Sequence, residues 1–531
     1  MTSSILHETS DDKKYNILEN NNNINYSNFI IAKAVSDSIR TSLGPHGMDK
    51  VIISDDEILI TNDGATILKN AQFQHPAAKM LVNISRSQDT EIGDGTTTVV
   101  VLAGSLLGTC VGLLKKGLLR VIIADALRDF LQKIEKILIE ISFPINLNNK
   151  ESLFNAAFSS LESKVVSAHS YILAPIAVNA VLKITDIKSS SDVNMSDIKM
   201  IKKLGGIIEQ TELLEGLGIN YSITKSYGGP VKIKEAHIAL IQFCLSLPVT
   251  DIENVVIIDN YLSMDKVLKE EKEYILGLCR KIKSSGCNVL LVQKSILRES
   301  VSPVCLQILS QMKIMIIQDI EKDEISFIAN SLGCIPIVDI ESFSEEKFGK
   351  ADIVEEKSFF SEKITEFKGI MRQFSKTATI LIRASNTLLL EEAQRSIHDA
   401  VCVIRSIIRR RFLIAGGGST EIEISIQLKQ YSKGITGINS YCMISFANSM
   451  EIIPFTLAEN AGLEPIQIIS RLKKHHYTGE KTIGINIRKG CVSDMVSENI
   501  ISPLLVTTSA INLAVEFVIQ LLKIDEIIKA C

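Results

Sequence analysis

Apolar residues recur at helical spacing through Ile30, Ile31, Ala34, Val35 and Ile39, and the run stops at Ser42-Leu43-Gly44-Pro45-His46-Gly47. This predicts a helix over 27–41 closed by a turn. Val51-Ile52-Ile53 and Ile58-Leu59-Ile60 flank an acidic tip and predict a hairpin. The second run leads into Thr61-Asn62-Asp63-Gly64, a turn, and a helix from Ala65. Helical spacing returns over 77–87 and 121–141. From Gly95 to Leu114 no residue is charged, and the stretch follows Glu91-Ile92-Gly93-Asp94-Gly95-Thr96-Thr97-Thr98. Its length would cross a bilayer. Its threonines, serine and glycines, and its start on a Gly-Asp-Gly turn, predict instead a helix buried on all sides of a large core.

Past Pro144 the texture changes. Helices over 144–203 are expected to be shorter and more polar, ending at the Gly205-Gly206 pair, a natural hinge. Then come compact apolar runs, Ile238–Ile241, Val255–Ile258, Val289–Val292 and Ile314–Ile317, separated by helical patterns over 264–282 and 303–312. That alternation predicts an α/β domain. Residues 377–383 give a further strand and 388–408 a long helix carrying Arg395, His398 and Asp399. After Ala415-Gly416-Gly417-Gly418-Ser419 the pattern is helical to Cys531. The two ends match in texture, so they are expected to form one unit with the middle inserted.

Composition narrows the function. The 531 residues are 46% hydrophobic and 22% charged, with a net charge of −4 and no tryptophan. Two to four domains are expected. The charge gives no case for nucleic acid or membrane binding, and stacking platforms are scarce. The ten cysteines form no CxxC pair, which points to a reducing compartment and away from structural zinc. The polar, Asn-rich start, 1–26, reads as a disordered leader.

Four glycine turns are candidates for chemistry: Gly44–Gly47, Asp63-Gly64, Gly93-Asp94-Gly95 and Gly416–Gly418. Each alone is also an ordinary turn with a cap. Together they offer backbone that can approach phosphates, and Asp94 before a helix start suits a magnesium–polyphosphate corner. There is no GxxxxGK[ST] and no G-x-G-x-x-G after a strand, so the Walker and Rossmann sites are excluded. Asp399 is either a salt-bridged helix carboxylate, with Arg395 one turn back, or a carboxylate that positions water. His398 reads as a packing or hydrogen-bonding residue, and His475-His476 as surface.

Leu43-Gly44-Pro45-x-Gly47, Asn62–Leu68, His75–Lys79, Gly93–Thr97, Arg395–Ala400 and Gly416–Gly418 together resemble the group II chaperonins. Arg40–Ser42, Ser295–Arg298 and Ala458–Leu463 with Pro465 resemble one of the eukaryotic cytosolic subunits of that group. The likeness covers 27–528. It implies a multidomain α/β and α protein with chaperonin architecture. The mostly helical equatorial ATP-binding domain would be 27–144 and 405–531, and the intermediate hinge domain 145–212 and 373–404. The α/β apical, client-binding domain would be 213–372, with a built-in lid at about 246–274.

By the same resemblance Asp94 would hold Mg²⁺, with Gly95, Thr96, Thr97 and Thr98 cradling phosphates. Gly44 and Pro45 would line phosphate and base, and Gly417 the ribose. Asp63 and Asp399 would flank the γ-phosphate and the water, Asp399 arriving by domain closure, and Lys164 would sense the γ-phosphate. The cofactors implied are ATP and Mg²⁺, with K⁺ a possible addition. The partners implied are paralogous subunits in a cytoplasmic hetero-oligomeric double ring and non-native clients such as actin and tubulin. The chain departs from the pattern at His46, Ala384, Ser419, Ser502 and the proline-free Gly117–Arg120. Two rivals remain: a stand-alone soluble ATPase or phosphotransferase, and a ring scaffold that binds nucleotide without hydrolysis.

Overall fold

The computed structural model describes residues 27–53, 58–147, 149–185, 192–224, 228–246, 261–295, 298–359, 362–370 and 377–525. The leader, the run Val255–Ile258, residues 247–260 of the expected lid and Ile296-Leu297 lie outside the described residues. The chain divides into two compact units, Met1–Val178 with Arg395–Cys531, and Asn179–Gln394. The first therefore joins both ends of the chain, as the matching textures predict.

The first unit is built around the helix Thr96–Lys115, uncharged as far as Leu114. No residue from Ile92 to Leu114 is exposed. Val99, Val100, Leu102, Leu106, Leu107 and Leu113 enter a core shared with the helices over 27–40, Arg120–Ile141, Ser419–Ser432, Ile438–Met450 and Leu504–Lys523. Its polar residues are satisfied inside the protein, which is why they do not mark a solvent face. The Ser105 hydroxyl donates to Ser449 O at 3.0 Å, and Ser36 donates to Val100 O at 2.8 Å. Two other stretches, Val165–Ile184 and Leu504–Lys523, are also long and apolar enough to cross a membrane; the latter packs in this same core.

Lys50–Ile53 pairs antiparallel with Ile58–Thr61, the expected hairpin. The C-terminal part is not purely helical as expected. Ile483–Asn486 and Cys491–Asp494 form a hairpin, and Ile501–Pro503 pairs with Phe412–Ala415, which also pairs with Phe143–Pro144. The strands after residue 480 are only 3 or 4 residues long, too short to carry a readable period of two.

His476 is a second correction. It is buried, with Nδ1 2.8 Å from Glu423 Oε2 and Nε2 donating to Ile483 O at 2.8 Å. The helix Pro465–Tyr477 turns this residue inward toward Ser419–Ser432, while His475 stays half exposed.

In the second unit a six-stranded mixed sheet runs in the order Leu217–Ile219, Glu362–Lys368, Gly349–Phe359, Lys232–Ile241, Val289–Gln293 and Met315–Ile320. The last three are parallel. Both faces are buried: Ile238, Leu240, Val289 and Leu291 enter one core, and Ala239, Ile241, Leu290 and Val292 another. Two buried faces explain why these strands read as unbroken apolar runs. Ser302 caps the helix Pro303–Gln311 through the Cys305 N–H.

Ile198–Leu204 is a strand, not the helix expected there, paired parallel with Ala378–Ala384. Its lysines at 199, 202 and 203 interrupt the apolar pattern that would have marked it. Ser170–Ile184 is also more apolar than expected for this region.

Candidate active site

Asp63 follows the strand Ile58–Thr61 and caps the helix Gly64–Asn70. Its Oδ2 accepts from the Thr66 N–H at 3.0 Å and from the Thr66 hydroxyl at 2.6 Å. The bland reading of this turn as a cap is therefore true, and it is incomplete. Oδ1 faces the other way and accepts from the Thr96 hydroxyl at 2.9 Å, which joins the second and third glycine turns.

Asp94 does not cap its helix. That position belongs to Gly95, while Asp94 Oδ1 accepts from the Gly95 N–H at 2.7 Å and Oδ2 from the Ser160 hydroxyl at 3.2 Å. The turn is held from behind by Gln88, which donates to Asp94 O at 2.8 Å and accepts from Ser509 at 2.8 Å. With the Thr96 hydroxyl engaged by Asp63, the helix's first free N–H groups, those of 96–98, are what this turn offers an anion. A Cβ on Gly93 would lie 2.5 Å from the Cys402 Cβ. Only glycine lets the turn approach this closely to the helix Thr387–Arg409, which bears Asp399.

Lys164 ties these parts together. Its ammonium lies 2.7 Å from Asp399 Oδ2 and 3.7 Å from Asp63 Oδ1, and all three side chains are at most 11% exposed. Burial alone would discharge Lys164, but Asp399, then Asp63 and Asp94, outweigh it and hold the amine charged well above its ordinary range. Burial also opposes ionisation of Asp63; Lys164 and the bonds from Thr66 and Thr96 prevail and hold it below the usual carboxylate value. Asp94 goes the other way. Burial, reinforced by Asp399, raises it despite Lys164, Gly95 and Ser160. Asp89 is raised to about 6 by burial and by the charges of Asp63 and Asp399. The cluster is short of positive charge.

A cavity of about 510 Å³ adjoins the cluster. Pro45 and Gly417 line it, with Ile485, Asn486 and Ser502 from the C-terminal strands. Gly417 has φ +62°, and a Cβ there would sit 2.9 Å from Ile485 O. The helix Lys150–Glu162 touches both cavity and cluster. Ser159 and Ser163 face the cavity while Ser160 bonds Asp94, and Ser163 O accepts from Asn62, the neighbour of Asp63, at 2.8 Å.

Thus Asp63, Asp94, Gly95, Thr96, Lys164 and Asp399 converge on one place, and Pro45 and Gly417 on the adjoining cavity. Gly44 stands one residue behind the wall, against Leu457. Thr97 abuts Gly64, and Thr98 is half-buried in the first turn of the helix. Sequence reasoning missed Gln88, Asn62, Ser160 and the 485–488 strand end. Asn62 and Ser160 lie within a few residues of singled-out positions, but no spacing rule says that they bond there.

The TCP-1/cpn60 chaperonin family matches residues 35–531. The chain belongs to this family. Among chaperonins it is 52% identical over 513 residues to the T-complex protein 1 subunit delta of Dictyostelium discoideum, covering 96% of each chain. It is 51% identical to the protein of that name from Schizosaccharomyces pombe, over 95% of this chain and 96% of the other. For the Homo sapiens subunit the identity is 49%, over 95% and 94%. The mixed helical and sheet structure fits a multidomain chaperonin, and the family binds nucleotide.

Among the described residues no group of three His, Cys, Asp or Glu side chains forms a metal cage. Mg²⁺ does not require one. It is commonly held by one or two carboxylates, waters and substrate phosphates. Asp94, a half-buried carboxylate whose pKa burial raises in spite of Lys164, fits such an ion.

Proposed function

We propose that this chain is a delta-type subunit of the eukaryotic cytosolic chaperonin, an ATP-driven folding machine. In this reading it works in a cytoplasmic hetero-oligomeric double ring with paralogous subunits. The observation that carries the ATPase reading is Lys164 joining Asp63 to Asp399 beside the Asp94 turn, with a nucleotide-sized cavity behind the same helix.

The equatorial domain would be 27–144 with 405–531, the intermediate domain 145–212 with 373–404, and the apical domain 213–372 with its lid at about 246–274. Non-native proteins such as actin and tubulin would be the clients. Base and ribose would enter the cavity between Pro45 and Gly417. The phosphates would reach the free N–H groups of 96–98, with K⁺ a possible companion ion there.

Asp94 would hold Mg²⁺, which when bound neutralises phosphate charge and draws electron density from the bond to be broken. Asp399 and Asp63 would orient the attacking water, Asp399 taking up its proton, and Lys164 would stabilise charge on the γ-phosphate.

Two measurements test this reading. Native mass spectrometry of the complex purified from cells is expected to find the chain in a ring-sized assembly of related but different chains; a stable monomer overturns the ring assignment. Asp94→Ala is expected to weaken Mg²⁺-dependent ATP binding by roughly 10–100-fold, the scale seen when a metal site loses a supporting group. Equal affinity with and without Mg²⁺ in both proteins overturns the metal role.

A further inference from the structure

Arg488 lies on the turn between Ile483–Asn486 and Cys491–Asp494 and faces the cavity. Its guanidinium pairs with Glu162, the last residue of the helix Lys150–Glu162, with side-chain exposures of 71% and 16%. It also stands 6.0 Å over the Phe158 ring, and Phe158 stacks on Phe154 at 5.9 Å. Residues 154, 158 and 162 follow one another at four-residue steps, so Arg488 docks along a single helix face.

The root of this hairpin is held quite differently. There His476, enclosed with Glu423, donates to Ile483 O at 2.8 Å, and the Ile485 N–H donates to Gly417 O at 2.9 Å. One end is fixed by buried hydrogen bonds. The other is held by an ion pair whose guanidinium is open to water, a contact weaker than a buried one and partly screened by salt.

We infer that Arg488 and Glu162 are positioning residues that close the nucleotide cavity, and that parting of this pair sets how fast a nucleoside diphosphate leaves. The inference rests on the reading of this cavity as the nucleotide site. Release is often the slow step of an enzyme cycle, and an exposed latch on a fixed hinge suits it. The latch also reports to the chemistry. Glu162 ends the helix whose Ser160 bonds Asp94, and the chain reaches Lys164 two residues further on, so closure over the cavity is coupled through one helix to the turn assigned to the metal.

The test is stopped-flow release of a fluorescent ADP analogue from the full-length chain. Arg488→Ala and Glu162→Gln are each expected to speed release about two- to fivefold, the range open to an exposed ion pair. Raising salt should speed release from the unsubstituted chain and have little effect on Arg488→Ala. The charge-swapped pair, Arg488→Glu with Glu162→Arg, should return release to within about twofold of the original. Single variants that release at the original rate, or a swapped pair as fast as the singles, overturn the latch. If the unsubstituted chain holds no ADP, the nucleotide-site reading itself fails, a separate and recognisable result.

Discussion

Asp399→Ala is expected to lower single-turnover ATP hydrolysis by roughly 10²–10⁴-fold, the span of a lost proton-transfer group, while ATP still binds. Binding should survive because the groups assigned to hold the nucleotide lie elsewhere: the Asp94 turn, the N–H groups of 96–98 and the cavity wall. Lys164 also keeps a partner in Asp63, at 3.7 Å. The measurement pairs the rate of labelled-ATP conversion on the chain with its equilibrium affinity for ATP. Unchanged conversion removes Asp399 from the mechanism, and lost affinity makes it a binding residue.

Lys164→Met should have the largest effect on stability. It strips the shared cation from Asp63 and Asp399, whose side chains are 11% and 8% exposed. Removing one member of a buried ion pair typically costs about 3–5 kcal/mol, because the remaining charge is neither solvated nor paired.

The pH dependence follows from Asp63, which Lys164 and its hydrogen bonds hold, against burial, below the ordinary carboxylate value of 3.8. Stability from that pairing is present above this value and is lost as pH falls through the lower folded one. The gap between the two proteins should therefore be widest near neutrality and should close in acid. Urea unfolding of the nucleotide-free chain at pH 7.5 and at about pH 2.5, below the ordinary carboxylate value, checks both the size and the sign. Lys164→Arg, which keeps the charge, should recover most of the loss; a methionine variant as stable as the original excludes the ion-pair account.

What could be read from the chain beforehand follows physical lines. A long helix with an apolar stripe, such as Thr387–Arg409, carries its own period, and elements buried on every side, such as Thr96–Lys115 and Val289–Gln293, show as unbroken apolar runs, so all three appear where the pattern puts them. The site was legible wherever glycine or a carboxylate made a turn unusual. Lys164 entered only through resemblance, since a lysine after serine in a polar stretch has no spacing rule.

The strands Ile483–Asn486, Cys491–Asp494 and Ile501–Pro503 stayed hidden because each is short. With them went Ile485 and Asn486 on the cavity wall. His476 was misread for a related reason. Its burial depends on Glu423, which is 53 residues away in sequence, and no local pattern reports such a partner.

The unit that holds this site joins Met1–Val178 to Arg395–Cys531, whereas the other unit is the continuous stretch Asn179–Gln394. On a ribosome the continuous stretch can collapse as soon as it emerges, since domains fold as units and in the order of synthesis. The helix Thr96–Lys115 cannot. Its packing partner Leu504–Lys523 is translated only after the whole of Asn179–Gln394, so a long apolar surface waits exposed until then. A protein whose family guards other chains from aggregation thus passes through its own synthesis with its principal core unsealed, and nascent-chain escorts are expected to engage it before residue 504 appears.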